Sequence, residues 1–266
     1  MHIAILAKQV ANPDVAASQF RIDDAAGTVT PMDGVPLVMS PFDEQAVEAA
    51  LRIREAVGEA RITVITLGPE SARNVLKHGL AMGADDAVLL SDPAFAGSDA
   101  RGTARALAAA IRKLGAVDLV LAGRQAADDD AGVVGTAVAH ALDLPVIAFA
   151  QDLQVSDGHV RVERVLDDAT EVMEAALPAV VTISNELGEA RKPNLRETMR
   201  AARKPVAVWT PADLDLDPAT VGSAGARRRA QRAYVPVKDS RCEWLDGSAE
   251  EQARALVAKL KEARVL

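Results

Sequence analysis

Short runs of β-branched and other apolar residues alternate along the chain with longer stretches whose apolar positions recur every three or four residues. The runs Ile3–Ala7, Ile62–Leu67, Ala87–Leu90 and Val117–Ala122 read as strands buried on both faces. Between them the period is helical. One helix starts at Ser40-Pro41-Phe42-Asp43, with Ser at the N-cap, Pro at the first helical position, and Phe42, Ala46, Val47, Ala50, Ile53 and Val57 on its apolar face. A second carries Ala72, Val75, Leu76 and Leu80 and stops at Gly83; a third runs from Asp99 to Leu114 with Ala104, Leu107, Ala108 and Ile111 inward, closed by Gly115. A fourth shows Val134, Ala137, Val138, Ala141 and Leu142. Strands and helices alternating at these intervals predict an α/β fold, a doubly wound, mostly parallel sheet with right-handed crossovers. Only residues 8–39, a polar segment through Gly27 and Gly34, break the rhythm early, and a connection of that length usually has a function.

After Pro145 the period changes to two. Val146–Val155, Val160–Leu166, Val172–Leu177 and Ala179–Ile183 read as hairpins adding antiparallel strands to the sheet edge, with a turn at Ser156-Asp157-Gly158. A short helix over Asn194–Ala202 and a strand over Val206–Trp209 follow. From Thr210-Pro211 to Gly225-Ala226 the Pro, Gly, Ala and Asp content predicts a linker. Beyond it lie Arg227-Arg228-Arg229, an extended segment around Tyr234-Val235-Pro236-Val237, and a terminal helix from Ser248 to Ala263. The expected division is a nucleotide-binding domain over 1–210 and an arm over 211–266, too poor in apolar residues for a core of its own and so expected to wrap a partner.

Composition narrows the class. With 49% hydrophobic residues the chain has enough for a real core, but at 3% aromatic it lacks the stacking platforms of single-strand nucleic-acid binders, and its net charge of −8 argues against nucleic acid in general. The single cysteine, Cys242, excludes an internal disulfide, and no apolar stretch reaches the roughly 20 residues of a membrane span. A cytoplasmic protein is expected.

The chemistry concentrates where the fourth strand meets the fourth helix, at Gly123-Arg124-Gln125-Ala126-Ala127-Asp128-Asp129-Asp130-Ala131-Gly132-Val133-Val134-Gly135-Thr136. A turn at the carboxyl end of a parallel strand is where such sheets bind ligands, and the unpaired N–H groups of a helix start suit a phosphate. The three glycines are expected to admit a ligand close to the backbone. Neither a Walker nor a Rossmann fingerprint is present. The three acids would repel a phosphate unless they meet ribose hydroxyls, cap the helix or share a metal; the metal reading lacks any nearby histidine. His2, His78, His140 and His159 are scattered and sit beside no nucleophile, so no catalytic residue is expected. Further on, residues 191–204 hold six basic residues against one acid, either a solvated helix face or a docking patch for an acidic partner.

Five ordered segments give the chain a family resemblance: Leu6-Ala7-Lys8-Gln9-Val10, Met39-Ser40-Pro41-Phe42-Asp43-Glu44-Gln45-Ala46-Val47-Glu48, Ala81-Met82-Gly83-Ala84-Asp85, the run Gly123 to Asp130, and Val162-Glu163-Arg164 continuing to Leu177-Pro178-Ala179-Val180-Val181-Thr182. Together they resemble the beta subunits of electron transfer flavoproteins over almost the whole chain. The resemblance implies a heterodimer with an alpha subunit that holds FAD, and a nucleotide in the beta subunit, AMP in many members and a second FAD in electron-bifurcating ones. Bifurcating relatives usually read Asp-Gly-Asp-Thr-Ala-Gln-Val-Gly where this chain has Asp128 to Gly135, and the central Asp129 favours AMP.

The resemblance also assigns roles. Leu6, Ser40, Leu67 and the loop (Gly123, Gln125, Asp128, Asp130, Ala131, Gly132, Val133, Val134, Gly135, Thr136) would line the nucleotide, largely through backbone; Ser40 replaces an Asn common in relatives. Phe42 would approach the flavin from the beta side. Leu195, with Arg191, Arg196 and Arg200 around it, falls on a loop whose leucine anchors flavin dehydrogenases such as acyl-CoA dehydrogenases. Glu163 matches an acid that meets the mobile flavin domain. The acceptor implied is a quinone-linked oxidoreductase, and the polypeptide itself would catalyse nothing. The competing classes are a self-contained nucleotide-binding protein of the universal-stress type, which would have no use for residues 211–266, and an adenine-nucleotide ligase, for which only Arg124 is a suitable basic group at the loop.

Overall fold

The computed structural model of the protein describes residues 1–23, 27–235 and 242–266, so Pro236 and Val237 of the expected extended segment lie outside the described residues. In chain order the elements are β1 (His2–Leu6), β2 (Gln9–Ala11), β3 (Phe20–Asp23), β4 (Thr28–Pro31), β5 (Leu37–Met39), α1 (Pro41–Val57), β6 (Arg61–Leu67), α2 (Arg73–Met82), β7 (Asp86–Leu90), α3 (Ala100–Leu114), β8 (Leu119–Gly123) and α4 (Val134–Leu142). They continue with β9 (Val146–Ser156), β10 (His159–Val165), β11 (Thr170–Ala176), β12 (Ala179–Ile183), α5 (Leu195–Arg203), β13 (Ala207–Trp209), the four-residue α6 (Gly222–Gly225) and α7 (Ala249–Glu262).

Among the described residues these strands form a nine-stranded sheet of order β11-β10-β9-β12-β8-β1-β6-β7-β13, with two small antiparallel pairs, β2-β5 and β3-β4, beside it. From β9's first residues to β13 the pairing is parallel; β10 and β11 extend it antiparallel. The period-two geometry of β1 sends Ile3 and Ile5 into a core with α1 and α2, while Ala4 and Leu6 join α3 and α4 on the other face. Both faces are thereby covered, which is why the central strands read as continuous apolar runs.

Four expectations are corrected. Ala179–Ile183 is no edge hairpin strand: β12 lies inside the sheet, parallel to β8 and to the start of β9, and is buried along its whole length. β9 serves both neighbours by bending at Phe149, whose φ of +65° accompanies a register shift against β12. The expected linker is packed: Leu214 and Val221 are buried in the α3–α4 core, Lys113 Nζ donates to the Asp213 carbonyl (2.5 Å), and the Gly222 amide donates to Ser98 Oγ (2.8 Å). The early polar segment also holds strands, since β2 and β5 pair where the pattern suggested only a connection. On α1, Val57 is exposed, so the inward face ends at Ile53.

Candidate functional site

The chain winds from β1 through β6 to β7 on one side and returns through α3 to β8 on the other, so direction reverses between β1 and β8. The crevice beyond their carboxyl ends is the place where this architecture receives ligands. It is held by one side chain. Asp43, in the first turn of α1, is fully buried and accepts hydrogen bonds from the Lys8 amide (Oδ2, 2.8 Å) and the Gly123 amide (Oδ1, 3.0 Å), joining the residues that end β1 and β8. Burial pushes its carboxyl up to about 7, against the two backbone donors that favour the charged form. Gly123 is a glycine because α1 abuts it: a Cβ there would stand 2.6 Å from Asp43 Oδ1 and 2.7 Å from Phe42 Cβ.

From Gly123 the loop folds over itself. The Arg124 amide donates to the Ile183 carbonyl (2.8 Å), and its guanidinium reaches Ser184 Oγ (3.1 Å) while lying 5.5 Å from the centre of the half-buried Phe42 ring. Lys8 Nζ serves two of the three acids, standing 3.7 Å from Asp129 as well as against Asp128. Asp128 pairs with Lys8 Nζ at 2.7 Å, Asp129 accepts from the Ala131 amide at 3.3 Å, and Asp130 accepts from Gln125 Nε2 at 2.8 Å. None caps α4, contrary to one reading of the sequence: the helix starts from Val133 without a side-chain cap, and its first turn holds no acid. Among the described residues no side chain caps the opening N–H groups of Val134, Gly135 and Thr136, which have no acceptor within the helix.

The glycines of the loop also divide. Gly132 takes φ +64°, a turn conformation that favours glycine, whereas Gly135 is buried and a Cβ there would meet Thr182 Cγ2 at 2.7 Å. The space beside the Gly135 Cα is thus filled by β12. Ala131, Gly132 and Val133 are exposed, Leu67, Val134 and Thr136 half-buried, and Leu6 and Ser40 buried. Ser40 Oγ has no hydrogen-bond partner among the described residues.

The basic segment forms α5, whose Asn194–Glu197 capping box fixes its start. Leu195 is 76% exposed and Met199 57%; with Arg196, Arg200 and Arg203 they line an open groove. Only Ala201 of this helix is buried, so polar clamps hold it. At its C-terminus Lys77 of α2 donates to the carbonyls of Ala201, Ala202 and Lys204 (3.2, 3.0 and 2.5 Å). Ahead of it Arg191 binds Glu48 (2.7 Å) and Glu55 (2.6 Å), which holds its guanidinium well above its ordinary range. Burial acts to raise the Glu48 carboxyl, but the hydrogen bonds from Arg191 and Arg52 outweigh it and hold the group low. Arg191 is thus engaged within the chain and anchors the loop, and Lys204 Nζ donates to the Ala84 carbonyl (2.7 Å); among the described residues Lys192, Arg196, Arg200 and Arg203 have no ion-pair partner. Glu163, on β10, is half-buried and accepts from Gln151 Nε2 at 3.4 Å.

Residues 29–214 match the family model of the electron transfer flavoprotein domain. Over the full length of both chains the protein is 38% identical to the caffeyl-CoA reductase-Etf complex subunit CarD of Acetobacterium woodii. It is 37% identical to the electron transfer flavoprotein subunit beta of Clostridium acetobutylicum over 98% of each chain, and 35% identical to protein FixA of Azorhizobium caulinodans over 98% of this chain and 94% of that one. The chain belongs to the electron transfer flavoprotein beta-subunit family.

Membership in the electron transfer flavoprotein family makes this an electron-carrier subunit and sets aside the stress-protein and ligase classes. The relatives also extend over the arm. Among the described parts of that arm, the amides of Arg227 and Arg228 donate to the Asp99 carboxylate (2.8 and 3.2 Å), Trp244 is 85% exposed, and α7 buries no residue. Sequence reasoning missed Lys8, Asp43 and Lys77. Lys8 and Asp43 stood in the quoted family segments, yet their partners lie 35 to 120 positions away, where local pattern carries no signal.

Proposed function

We propose that this chain is the beta subunit of a heterodimeric electron transfer flavoprotein and that its switch-point loop holds AMP. The observation that supports the nucleotide most is the uncapped start of α4 beyond β8, with the nearby acids balanced by Lys8 or turned to loop donors. The buried Ser40 Oγ, orphaned among the described residues while its amide donates to the Lys8 carbonyl, is a further polar group suited to a ligand at this end of β1. Val134, Gly135 and Thr136 would bind phosphate through their amides, Gln125 and the loop acids would face the ribose side, and Leu67 would offer the base an apolar wall above Leu6.

FAD bound in the alpha subunit supplies the redox chemistry, taking electrons from flavin dehydrogenases such as acyl-CoA dehydrogenases and passing them to a quinone-linked oxidoreductase. This chain's residues shield and dock. Phe42, stiffened by Arg124, covers the flavin from the beta side; Leu195 anchors the dehydrogenase, with Arg196 and Arg200 steering its acidic rim; Glu163 meets the flavin domain; the arm packs on the alpha subunit. The complex works in the cytoplasm. Among the described residues no helix is long and apolar enough to cross a membrane. Releasing the ligand from the purified heterodimer and weighing it tests the proposal: AMP is expected, FAD in this chain's site would assign the bifurcating type, and a heterodimer without a second nucleotide would overturn the assignment.

A further inference from the structure

The Asp43 contacts form a closed circuit that the family's roles leave unused. Asp43 holds the amides of Lys8 and Gly123, and the ammonium of that same Lys8 crosses to Asp128 in the loop (2.7 Å). The loop is thus tied at its first residue and again five residues on, both times through the two side chains at the mouth of β1. The circuit has little slack, because the space a Cβ on Gly123 would need is filled by Asp43 and Phe42.

We infer that Asp43 is the positioning residue of the nucleotide loop: its buried carboxylate sets where the loop leaves β8 relative to β1, and so where the amides of α4 stand for a phosphate. The inference deepens the nucleotide reading proposed above and rests on it. A carboxylate is suited to the task because both oxygens accept, one for each amide, whereas an isosteric Asn keeps one acceptor and turns an NH2 against the other N–H. Asp43 touches no ligand in this account; it acts through Gly123 and Lys8.

The test compares Asp43→Asn with Val160→Ala, a cavity mutation at a buried position of β10, three strands from β8 in the sheet. Each is made in the heterodimer, stripped of nucleotide and titrated with AMP by calorimetry, with the melting temperature recorded alongside. Asp43→Asn should raise the Kd for AMP by about tenfold or more, as the loss of a hydrogen bond to a charged acceptor does. Val160→Ala should lower the melting temperature and leave the Kd within about twofold, since distant sites act independently. Equal AMP affinity in wild type and Asp43→Asn overturns the inference while leaving the nucleotide site intact; a wild-type heterodimer that binds neither AMP nor FAD overturns the site reading and this inference together. If Asp43→Asn does not fold, hydrogen exchange on the wild type decides. AMP at about 100 times its Kd should slow the Lys8 and Gly123 amides by about 100-fold, because their opening requires the circuit to break. Unchanged exchange at both amides overturns the inference.

Discussion

Gly132 and Gly135 stand three positions apart in one loop, yet they are glycines for different reasons. At Gly135 a methyl group would press on Thr182 Cγ2 inside packed α4 and β12. Gly135→Ala should therefore lower stability by about 1–3 kcal/mol, the usual cost of overpacking, and lose nucleotide as a by-product. Gly132 sits at the surface with φ +64°, and Gly132→Ala should cost only about 1 kcal/mol while shifting the turn that precedes the helix start. Thermal melts alongside nucleotide content should separate the two, and equal melting losses would show that the loop geometry has been misassigned. Asp43 predicts a pH effect of definite sign. Its carboxyl is raised in the fold to about 7 from an ordinary value of 3.8, so the native state holds the proton more tightly than the unfolded chain. Its contribution is full below about 3.8 and is lost as pH rises through about 7. Urea titrations between pH 5 and 7 should show wild type losing up to about 1.4 kcal/mol per unit relative to Asp43→Asn, which lacks the linkage.

Among the elements, α5 shows most clearly how a surface helix can stand with almost no apolar anchor. Its hydrophobic side chains point outward and its ends are held by Lys77 and by the Arg191–Glu48–Glu55 cluster. Leu195→Ala should leave the melting temperature of the heterodimer within about 1 °C, because an exposed side chain carries little folding energy, while slowing reduction by the dehydrogenase at limiting concentration. Lys77→Met should do the reverse in part. It leaves the Leu195 side chain in place but removes the cap from three carbonyls, costing about 0.5–1.5 kcal/mol and fraying the last turn of α5 in hydrogen exchange. The helices and central strands were legible in advance because each carries its own period, and the loop's place at a strand's carboxyl end followed from their alternation. The signal of β12 is nevertheless in its sequence: Ala179–Ile183 is apolar but for Thr182 and buried along its length, whereas β10 buries only Val160 and Val162. Residues 210–225 misled through composition, since Pro, Gly and Asp also build the short turns that lay this segment on α3. The Asp43 and Lys8 contacts are invisible in the sequence because which distant amides and carboxylates meet these side chains depends on the fold, not on residue spacing.

At the scale of the molecule, a covered sheet coexists with a terminal segment that covers nothing. Because α7 buries no residue, deleting residues 249–266 should change the melting temperature of the isolated chain by less than about 1 °C, yet weaken its association with the alpha subunit. Size-exclusion chromatography and melting curves on both proteins provide the check, and a truncated chain that pairs as tightly as the full one would place the alpha-subunit contact elsewhere.

The bond between Asp99 and the amides of Arg227 and Arg228 carries a geometric consequence. It nails the root of the arm to the start of α3, so everything beyond is measured from one fixed point. From Arg228 to Ser248 the chain has roughly 20 residues, and at about 3.5 Å each its contour length is about 70 Å. A compact chain of 266 residues has a radius of gyration of about 18 Å. The tether is thus long enough to carry the terminal helix to the far side of a subunit as large as this one while its origin never leaves the sheet.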